Sequence, residues 1–141
     1  FAPGPRGIII SEDKLERLYR LRPILHINEQ EALELSGENH VTEAAAVLQR
    51  RTGNTVIVTL GEKGTYCLEK SGGSYTVPTV PVKVKDTIGA GDSHIGTIIA
   101  CLVKDLPLKT AIEYANKIAG TVVGVEGSTL SPEQIPPFIK R

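Results

Sequence analysis

Two aspartates, Asp86 and Asp92, enclose a glycine-rich stretch with the sequence DTIGAGD. Gly89 and Gly91 permit backbone conformations that other residues rarely adopt, and apolar residues recur at helical spacing directly after the stretch. The pattern therefore predicts a loop that opens a helix. Because the first amides of a helix lack internal partners and carry the positive end of its dipole, they can bind an anion. Phosphate is the anion that we expect at this loop.

The composition is that of a folded chain without a charge bias. Of the 141 residues, 40% are hydrophobic, and sixteen basic residues balance sixteen acidic ones. This length and composition predict one domain with a substantial core. No basic cluster is interleaved with aromatic residues, so nucleic acid and anionic membrane surfaces are poor candidate partners. Since no apolar run approaches a membrane span and no signal-peptide pattern is present, we expect a cytoplasmic protein with a small-molecule substrate.

The two cysteines and the first residues carry further information. Cys67 and Cys101 lack the paired spacing of zinc ligands, which favours buried free thiols. The sequence contains no methionine and begins with FAPGPRG. We therefore expect it to be a segment of a longer protein.

Short apolar strands alternate with amphipathic helices, a pattern that is typical of α/β folds. The predicted strands are residues 23–28 and 54–61, and residues 64–77 read as a hairpin. The predicted helices are residues 11–21 with Ser11 as cap, 29–37, 41–53, the helix after the glycine loop, 107–124 and a short helix from Pro132. Residues 77–85 contain two prolines, so they are expected to form an edge strand or an extended connector.

Polar residues follow the predicted strands at the points where those strands end. Asn28 ends the first strand, Thr59 and Gly61 end the second, and the DTIGAGD stretch follows the extended valine segment. Ligands gather at the carboxyl ends of strands in an open α/β sheet. We therefore expect three strand ends to converge on one edge.

DTIGAGD resembles the second signature of the ribokinase-like carbohydrate kinases, a family that includes ribokinase, adenosine kinase and the minor phosphofructokinase. The resemblance implies an open sheet with flanking helices, and an ATP- and Mg²⁺-dependent enzyme that moves the γ-phosphate to an alcohol group of a sugar or nucleoside. It implies that Asp92 accepts the proton of the substrate hydroxyl, while Gly89, Ala90 and Gly91 form an anion hole. Phosphoryl transfer needs neutralised charge, aligned oxygens and one proton acceptor, and the roles that the resemblance implies for these residues meet those needs.

Further motifs extend the resemblance over nearly the whole chain. NEQE is similar to the family element that positions the magnesium-bound phosphate, and TLGEKG is similar to the motif that contacts nucleotide phosphate and ribose. An asparagine in YANKIAG lies where family members place one beside the adenine. The nucleotide-binding residues that these motifs imply are Asn28, Glu31, Thr59, Gly61, Gly64 and Asn116.

A monovalent cation such as K⁺ is also implied by the resemblance. VGVEGSTLS resembles a loop that, in several members, helps Asp86 and backbone carbonyls to hold such an ion. The residues that this implies are Asp86, Ile88, Val122, Val125, Gly127 and Ser131. The resemblance further implies a homodimer for the full-length protein.

Two departures from the family pattern concern the helix after the loop and the length of the chain. Family members commonly have phenylalanine two residues after the catalytic aspartate and a small residue at the fifth, where this chain has His94 and Thr97. The family's first half carries the sugar-binding residues and the lid, and nothing here resembles it. We expect residues 1–141 to be the C-terminal, nucleotide-binding and base-bearing part of a kinase domain, inactive alone.

Structural alternatives remain for each of these residues. Asp92 could serve only the helix dipole, and Asn28 with Glu31 could be a turn residue and a solvated carboxylate. Asn116 could cap or pack, Asp86 could cap the loop, and His94 could be a satisfied neighbour. The remaining histidines, His26 and His40, are expected to be structural or exposed.

Two alternatives to a kinase also remain open. The first is a non-catalytic nucleotide-binding or regulatory module with the same fold. The second is a dinucleotide site, which is a poorer alternative because the glycine spacing lacks the Gly-x-Gly-x-x-Gly pattern.

Overall fold

The structure is a computed structural model that describes residues 1–2, 10–79 and 90–123. These residues form four strands, β1 (Leu25–Asn28), β2 (Val56–Thr59), β3 (Thr65–Leu68) and β4 (Ser74–Val77). They also form five helices, α1 (Glu12–Arg20), α2 (Glu29–Ser36), α3 (Val41–Thr52), α4 (Ala90–Val103) and α5 (Leu108–Val123), with a 3₁₀ turn over Gly61–Lys63. The predicted order of helices and strands is confirmed within these ranges. The predicted connector beyond residue 79 and the helix from Pro132 lie outside the described residues.

The strands form one mixed, open sheet in the order β1-β2-β3-β4. β1 runs parallel to β2, and β2 runs antiparallel to β3. β3 and β4 are neighbours joined by a tight turn, in which the Gly72 amide donates to the Glu69 carbonyl at 2.8 Å. The predicted hairpin is thereby confirmed. Val56, Ile57 and Val58 of β2 are all buried, as expected for a strand inside a sheet.

The chain divides into two compact units, the first formed by Phe1–Gly61 and Thr65–Thr76. Its core contains apolar side chains from α1, α2, α3 and strands β1 to β3, namely Leu15, Tyr19, Leu25, Ile27, Ala32, Ala44, Ala45, Leu48, Val56, Val58 and Leu68. Glycines in the left-handed region end two of these helices, Gly37 with φ +75° after α2 and Gly53 with φ +65° after α3. Burial of this set supplies the main stabilisation of the unit.

Helix α1 begins after Ser11, as predicted, but the prediction of a side-chain cap was wrong. The Ser11 hydroxyl makes no capping hydrogen bond in the described structure. The acidic residues Glu12 and Asp13 of the first turn instead stabilise the positive end of the helix dipole. Arg51 of α3 adds a contact between helices, because its guanidinium binds the Glu16 carboxylate at 2.7 Å and lies over the Tyr19 ring.

The second unit comprises Glu62–Gly64 and Val77–Arg141, of which the structure describes residues 62–64, 77–79 and 90–123. In it, α4 packs against α5. The buried apolar residues of the two helices are Ile98, Cys101, Ala111, Ile112, Ala115 and Ile118. Four of these lie on the stripe that the sequence of α5 predicts. Cys101 here and Cys67 in β3 are buried free thiols, which confirms the sequence prediction.

Within the described ranges, no helix is both long and apolar enough to cross a membrane.

Candidate active site

The carboxyl ends of β1 and β2 bring two of the predicted binding residues together. Asn28 and Thr59 are Cα partners at the last position of the parallel ladder. The Thr59 hydroxyl donates back across the strands to the carbonyl of Ile27 at 3.5 Å. The prediction that these two strand ends converge on one edge is confirmed. The third predicted segment, Asp86 to Gly89, lies outside the described residues.

Asn28 and Glu31 form a capping box at the start of α2. The Asn28 side chain accepts a hydrogen bond from the Glu31 amide at 2.8 Å, and the Glu31 Oε2 atom accepts one from the Asn28 amide at 2.9 Å. Both residues thus have a structural role, but as a capping box rather than as the turn residue and the solvated carboxylate that the sequence offered as an alternative. Asn28 is nevertheless exposed and Glu31 is half-buried. Both side chains carry oxygen atoms, the type of ligand that Mg²⁺ binds, although Asn28 Oδ1 and Glu31 Oε2 already accept hydrogen bonds in the capping box.

The TLGEKG segment turns sharply after β2. Gly61 starts the 3₁₀ turn with φ +61°, and Gly64 leaves it with φ +99°. A Cβ atom on Gly64 would lie 2.1 Å from the carbonyl oxygen of Val77 and 2.9 Å from the Cα atom of Pro78. The chain therefore requires glycine at position 64 for two separate reasons, the positive φ and the close backbone approach.

Helix α4 begins at Ala90, so Gly91 and Asp92 lie in its first turn. Both residues are exposed. The prediction that the glycine-rich stretch opens a helix is confirmed. A first turn of this kind presents unpaired amides and the positive end of the dipole of a 14-residue helix. An anion bound there would lie next to a carboxylate that water and substrate can reach.

His94 and Asn116 form a buried hydrogen bond between α4 and α5. His94 Nε2 and Asn116 Oδ1 are 2.8 Å apart, and their residues are 3% and 5% exposed. The Asn116 amide nitrogen also donates to the carbonyls of Val77 at 3.0 Å and Pro78 at 3.3 Å. These contacts favour the packing alternative for Asn116 over an adenine contact. Sequence reasoning did not find the pair, although it did expect His94 to be a satisfied neighbour.

The environment of α4 also explains how this helix accommodates His94 and Thr97, the two residues at which it departs from the family pattern. Burial lowers the pKa of His94 and so favours the neutral ring, although the hydrogen bond with Asn116 offsets part of this shift. The Thr97 hydroxyl donates to the Ser93 carbonyl one turn earlier at 2.7 Å. Both polar side chains are therefore hydrogen-bonded inside the packed unit.

Six residues are predicted to hold a monovalent cation. Asp86, Ile88, Val125, Gly127 and Ser131 lie outside the described residues. The backbone of Val122 belongs to the end of α5.

Comparison with known proteins gives a consistent result. Residues 5–135 match the model of the pfkB family carbohydrate kinases. The uncharacterized sugar kinase YegV of Escherichia coli (strain K12) is 35% identical over 134 residues, which cover 92% of this chain and 41% of that protein. Ribokinase from Thermotoga maritima has a TM-score of 0.85 at 28% identity, over 100% of this chain and 48% of that one. A putative ribokinase II from E. coli, in complex with ATP and Mg²⁺, has a TM-score of 0.79 at 28% identity, over 91% of this chain and 42% of that one.

The chain thus spans less than half the length of each of these proteins. The structural matches confirm the ribokinase-like fold, an open sheet with flanking helices. The family model covers nearly all of the sequence, including the DTIGAGD stretch and the two motifs that follow β1 and β2. The chain belongs to the pfkB family of carbohydrate kinases.

Proposed function

We propose that this chain carries the nucleotide-binding and base-bearing part of an ATP-dependent kinase that phosphorylates an alcohol group of a sugar or nucleoside. The observation that carries the proposal is the start of α4, where exposed Asp92 lies in the first turn beside Gly91. This arrangement offers two groups that assist phosphoryl transfer. The Asp92 carboxylate can accept the hydroxyl proton, and the helix-terminal amides can stabilise the charge on the phosphoryl oxygens.

In the proposed reaction, the oxygen of the substrate hydroxyl forms a bond to the γ-phosphorus of ATP. The bond between that phosphorus and the bridging oxygen breaks, and its electron pair leaves with ADP. The hydroxyl proton moves to the Asp92 carboxylate. The amides of Gly89, Ala90 and Gly91 donate to the phosphoryl oxygens and stabilise the charge on them.

The residues at the ends of β1 and β2 are assigned to the nucleotide. We assign Asn28 and Glu31 to the phosphate and to Mg²⁺ or its water ligands, which supply charge neutralisation when the ion is bound. Thr59, Gly61 and Gly64 are assigned to the nucleotide phosphate and ribose. Support comes from the putative ribokinase II, a relative in fold that was crystallised with ATP and Mg²⁺.

Three further parts of the proposal concern the whole protein. The region around Asp86 holds a monovalent cation such as K⁺, the protein acts in the cytoplasm, and it forms a homodimer. The cation is tested by comparing activity in K⁺ and in a tetraalkylammonium salt, which is too large to be held by a ring of carbonyls.

The test uses the complete gene product that contains these residues. Calorimetric titration with MgATP, followed by an assay of ADP release over a panel of sugars and nucleosides, should show binding and turnover with at least one alcohol. Demonstrably folded protein that gives neither heat nor chemical-shift changes at millimolar MgATP would overturn the nucleotide assignment. Binding without turnover on any member of the panel would instead favour the regulatory module. The isolated 141-residue chain, which spans less than half the length of these relatives, should bind nucleotide weakly and show no turnover.

A further inference from the structure

The backbone at Val77 and Pro78 is contacted by two other segments of the second unit. Gly64 packs so closely that a Cβ atom there would lie 2.1 Å from the Val77 carbonyl oxygen. The Asn116 amide nitrogen donates to both the Val77 and the Pro78 carbonyls. Asn116 is itself bound to His94, two positions beyond Asp92 on α4. Within the second unit, one continuous set of contacts therefore runs from Gly64 through Val77 and Asn116 to His94 on α4.

The partners of Asn116 determine which ring nitrogen of His94 carries the proton. Carbonyl oxygens only accept hydrogen bonds, so the side of the amide that faces Val77 and Pro78 must be the NH₂ group. The opposite side is the Oδ1 atom, which also only accepts. His94 must therefore donate through Nε2, and the neutral ring is the Nε2–H tautomer. The contacts thus form a directed chain of donors, from ring to amide to backbone.

We propose that His94 and Asn116 are positioning residues of this kinase, which fix the first turn of α4, and with it Asp92, relative to the Val77–Pro78 backbone. The inference rests on the proposed function of Asp92 as the base. It goes further by assigning the orientation of that base to a buried polar pair.

A purely apolar contact would not replace this pair. A phenylalanine at position 94 would fill a similar volume, but it would leave the buried Asn116 Oδ1 atom without its donor from α4. A buried polar network with all of its members paired selects one arrangement of the helices, whereas apolar surfaces tolerate small rotations and shifts. Catalysis is sensitive to such shifts, because a displacement of about 1 Å can reduce a rate by about 10²-fold.

The first test measures the tautomer, and it does not depend on catalysis. In the complete gene product labelled with ¹⁵N-histidine, the His94 ring should give the Nε2–H pattern with a slowly exchanging proton. In Asn116→Leu, the slow exchange should disappear. An Nδ1–H tautomer in the parent protein would overturn the proposed chain of donors.

The second test separates positioning from packing by steady-state kinetics. His94→Phe should lower kcat by about 10- to 100-fold while the KM for the alcohol changes little, because the base is displaced rather than the binding site removed. His94→Gln, which keeps an N–H donor, should recover most of kcat. The matched control is His40→Phe, at an exposed position before α3, which should leave kcat unchanged.

If His94→Phe melts at a lower temperature but keeps the parental kcat, the pair is only structural and the positioning role is overturned. If the parent shows the Nε2–H tautomer but phosphorylates no alcohol in the panel, the proposed function fails, and the positioning of a base fails with it. These two failures are distinguishable, since the first leaves an active parent enzyme and the second does not.

Discussion

Asn28 and Thr59 lie opposite each other at the carboxyl ends of the parallel strands β1 and β2, in register. Each residue directly follows three buried residues of its strand, so the sheet itself brings the two polar side chains to one edge. Asn28 has a second task there, because it caps α2 through its bond with the Glu31 amide. The same residue is thus required for the helix and assigned to the nucleotide, and substitutions can separate the two roles.

Asn28→Ala should lower the free energy of unfolding by about 0.5–2 kcal/mol, because the capping bond to the Glu31 amide is lost. Asn28→Ser should retain most of that stability, since serine also caps helices well. If Asn28 also contacts the magnesium-bound phosphate, both variants should bind MgATP more weakly than the parent. Urea denaturation and calorimetric titration measure the two effects. Parental affinity in Asn28→Ser would restrict this residue to its capping role.

Gly64→Ala should be strongly destabilising, because the new Cβ atom would collide with the Val77 carbonyl oxygen and the alanine would also have to adopt φ +99°. Gly72→Ala is a matched control, since Gly72 has φ +98° and nothing lies within 4 Å of the place where its Cβ atom would be. The free energy of unfolding of the control should fall only by the strain of a positive φ, about 1–2 kcal/mol. The difference in thermal stability between the two variants measures the effect of the collision with Val77. Equal losses would show that the close approach to Val77 does not constrain the fold.

Tyr19→Phe should leave stability unchanged or increase it. In the part of the chain that the structure describes, the buried Tyr19 hydroxyl has no hydrogen-bond partner, so its removal relieves a desolvation cost of about 1–3 kcal/mol. Tyr75→Phe is the contrasting variant, because the Tyr75 hydroxyl donates to the Glu69 carboxylate at 2.9 Å. That variant should be less stable than the parent. A clear loss of stability in Tyr19→Phe would indicate a partner for its hydroxyl.

The stability of the protein should fall between pH 9 and pH 11. Burial raises the pKa of the Cys67 thiol from 9.0 to about 11, although a hydrogen bond with Tyr75 offsets part of the rise. In this window the unfolded chain releases the thiol proton while the folded chain keeps it, so a rising pH favours unfolding. Below pH 9, both states keep the proton and this contribution is constant.

Urea denaturation at several pH values checks this expectation. The free energy of unfolding should decline less steeply above pH 9 in Cys67→Ala than in the parent, while the difference between the two proteins should be constant from pH 6 to pH 8. Identical slopes above pH 9 would show that Cys67 titrates alike in both states. Tyr75 also contributes to the loss of stability at high pH, because burial and its hydrogen bonds with Cys67 and Glu69 raise the pKa of its hydroxyl.

The elements that were predicted well from the sequence depend on local signals. The apolar runs of β1 and β2 and the glycines Gly37 and Gly53 lie within a few residues of the boundaries that they predict. The family signature likewise predicts the start of α4, because the glycines and the helix that they open are adjacent in sequence.

The features that were missed depend on contacts between distant residues. The partners His94 and Asn116 are 22 positions apart, and only the packing of α4 against α5 brings them together. The requirement for glycine at position 64 also arises from a distant segment, the backbone at Val77. For Ser11, the residue type correctly indicated the helix start, but the bond itself depends on a side-chain rotamer that the sequence does not specify.

Asp92→Asn should abolish most of the turnover of the complete gene product without weakening nucleotide binding. Asparagine keeps the size of the side chain but cannot accept the hydroxyl proton, so kcat should fall by about 10²–10⁴-fold, the usual contribution of a general base. A carboxylate that served only the dipole of α4 would instead cost about 0.3–1 kcal/mol of stability and leave kcat nearly unchanged. Measurements of kcat at saturating substrates and of the melting temperature therefore distinguish the two roles.

Asp105→Asn is the matched control for this substitution. Asp105 is exposed, lies in the same unit just beyond α4, and has φ +58°, a conformation that asparagine also adopts readily. The control removes the same charge and should keep both kcat and the melting temperature. Asp86→Asn, at the other carboxylate of the glycine-rich stretch, should lower turnover mainly by weakening the activation of the enzyme by K⁺. If Asp92→Asn melts lower but turns over at a rate close to that of Asp105→Asn, Asp92 is not the base, and the helix start at Ala90 serves binding alone.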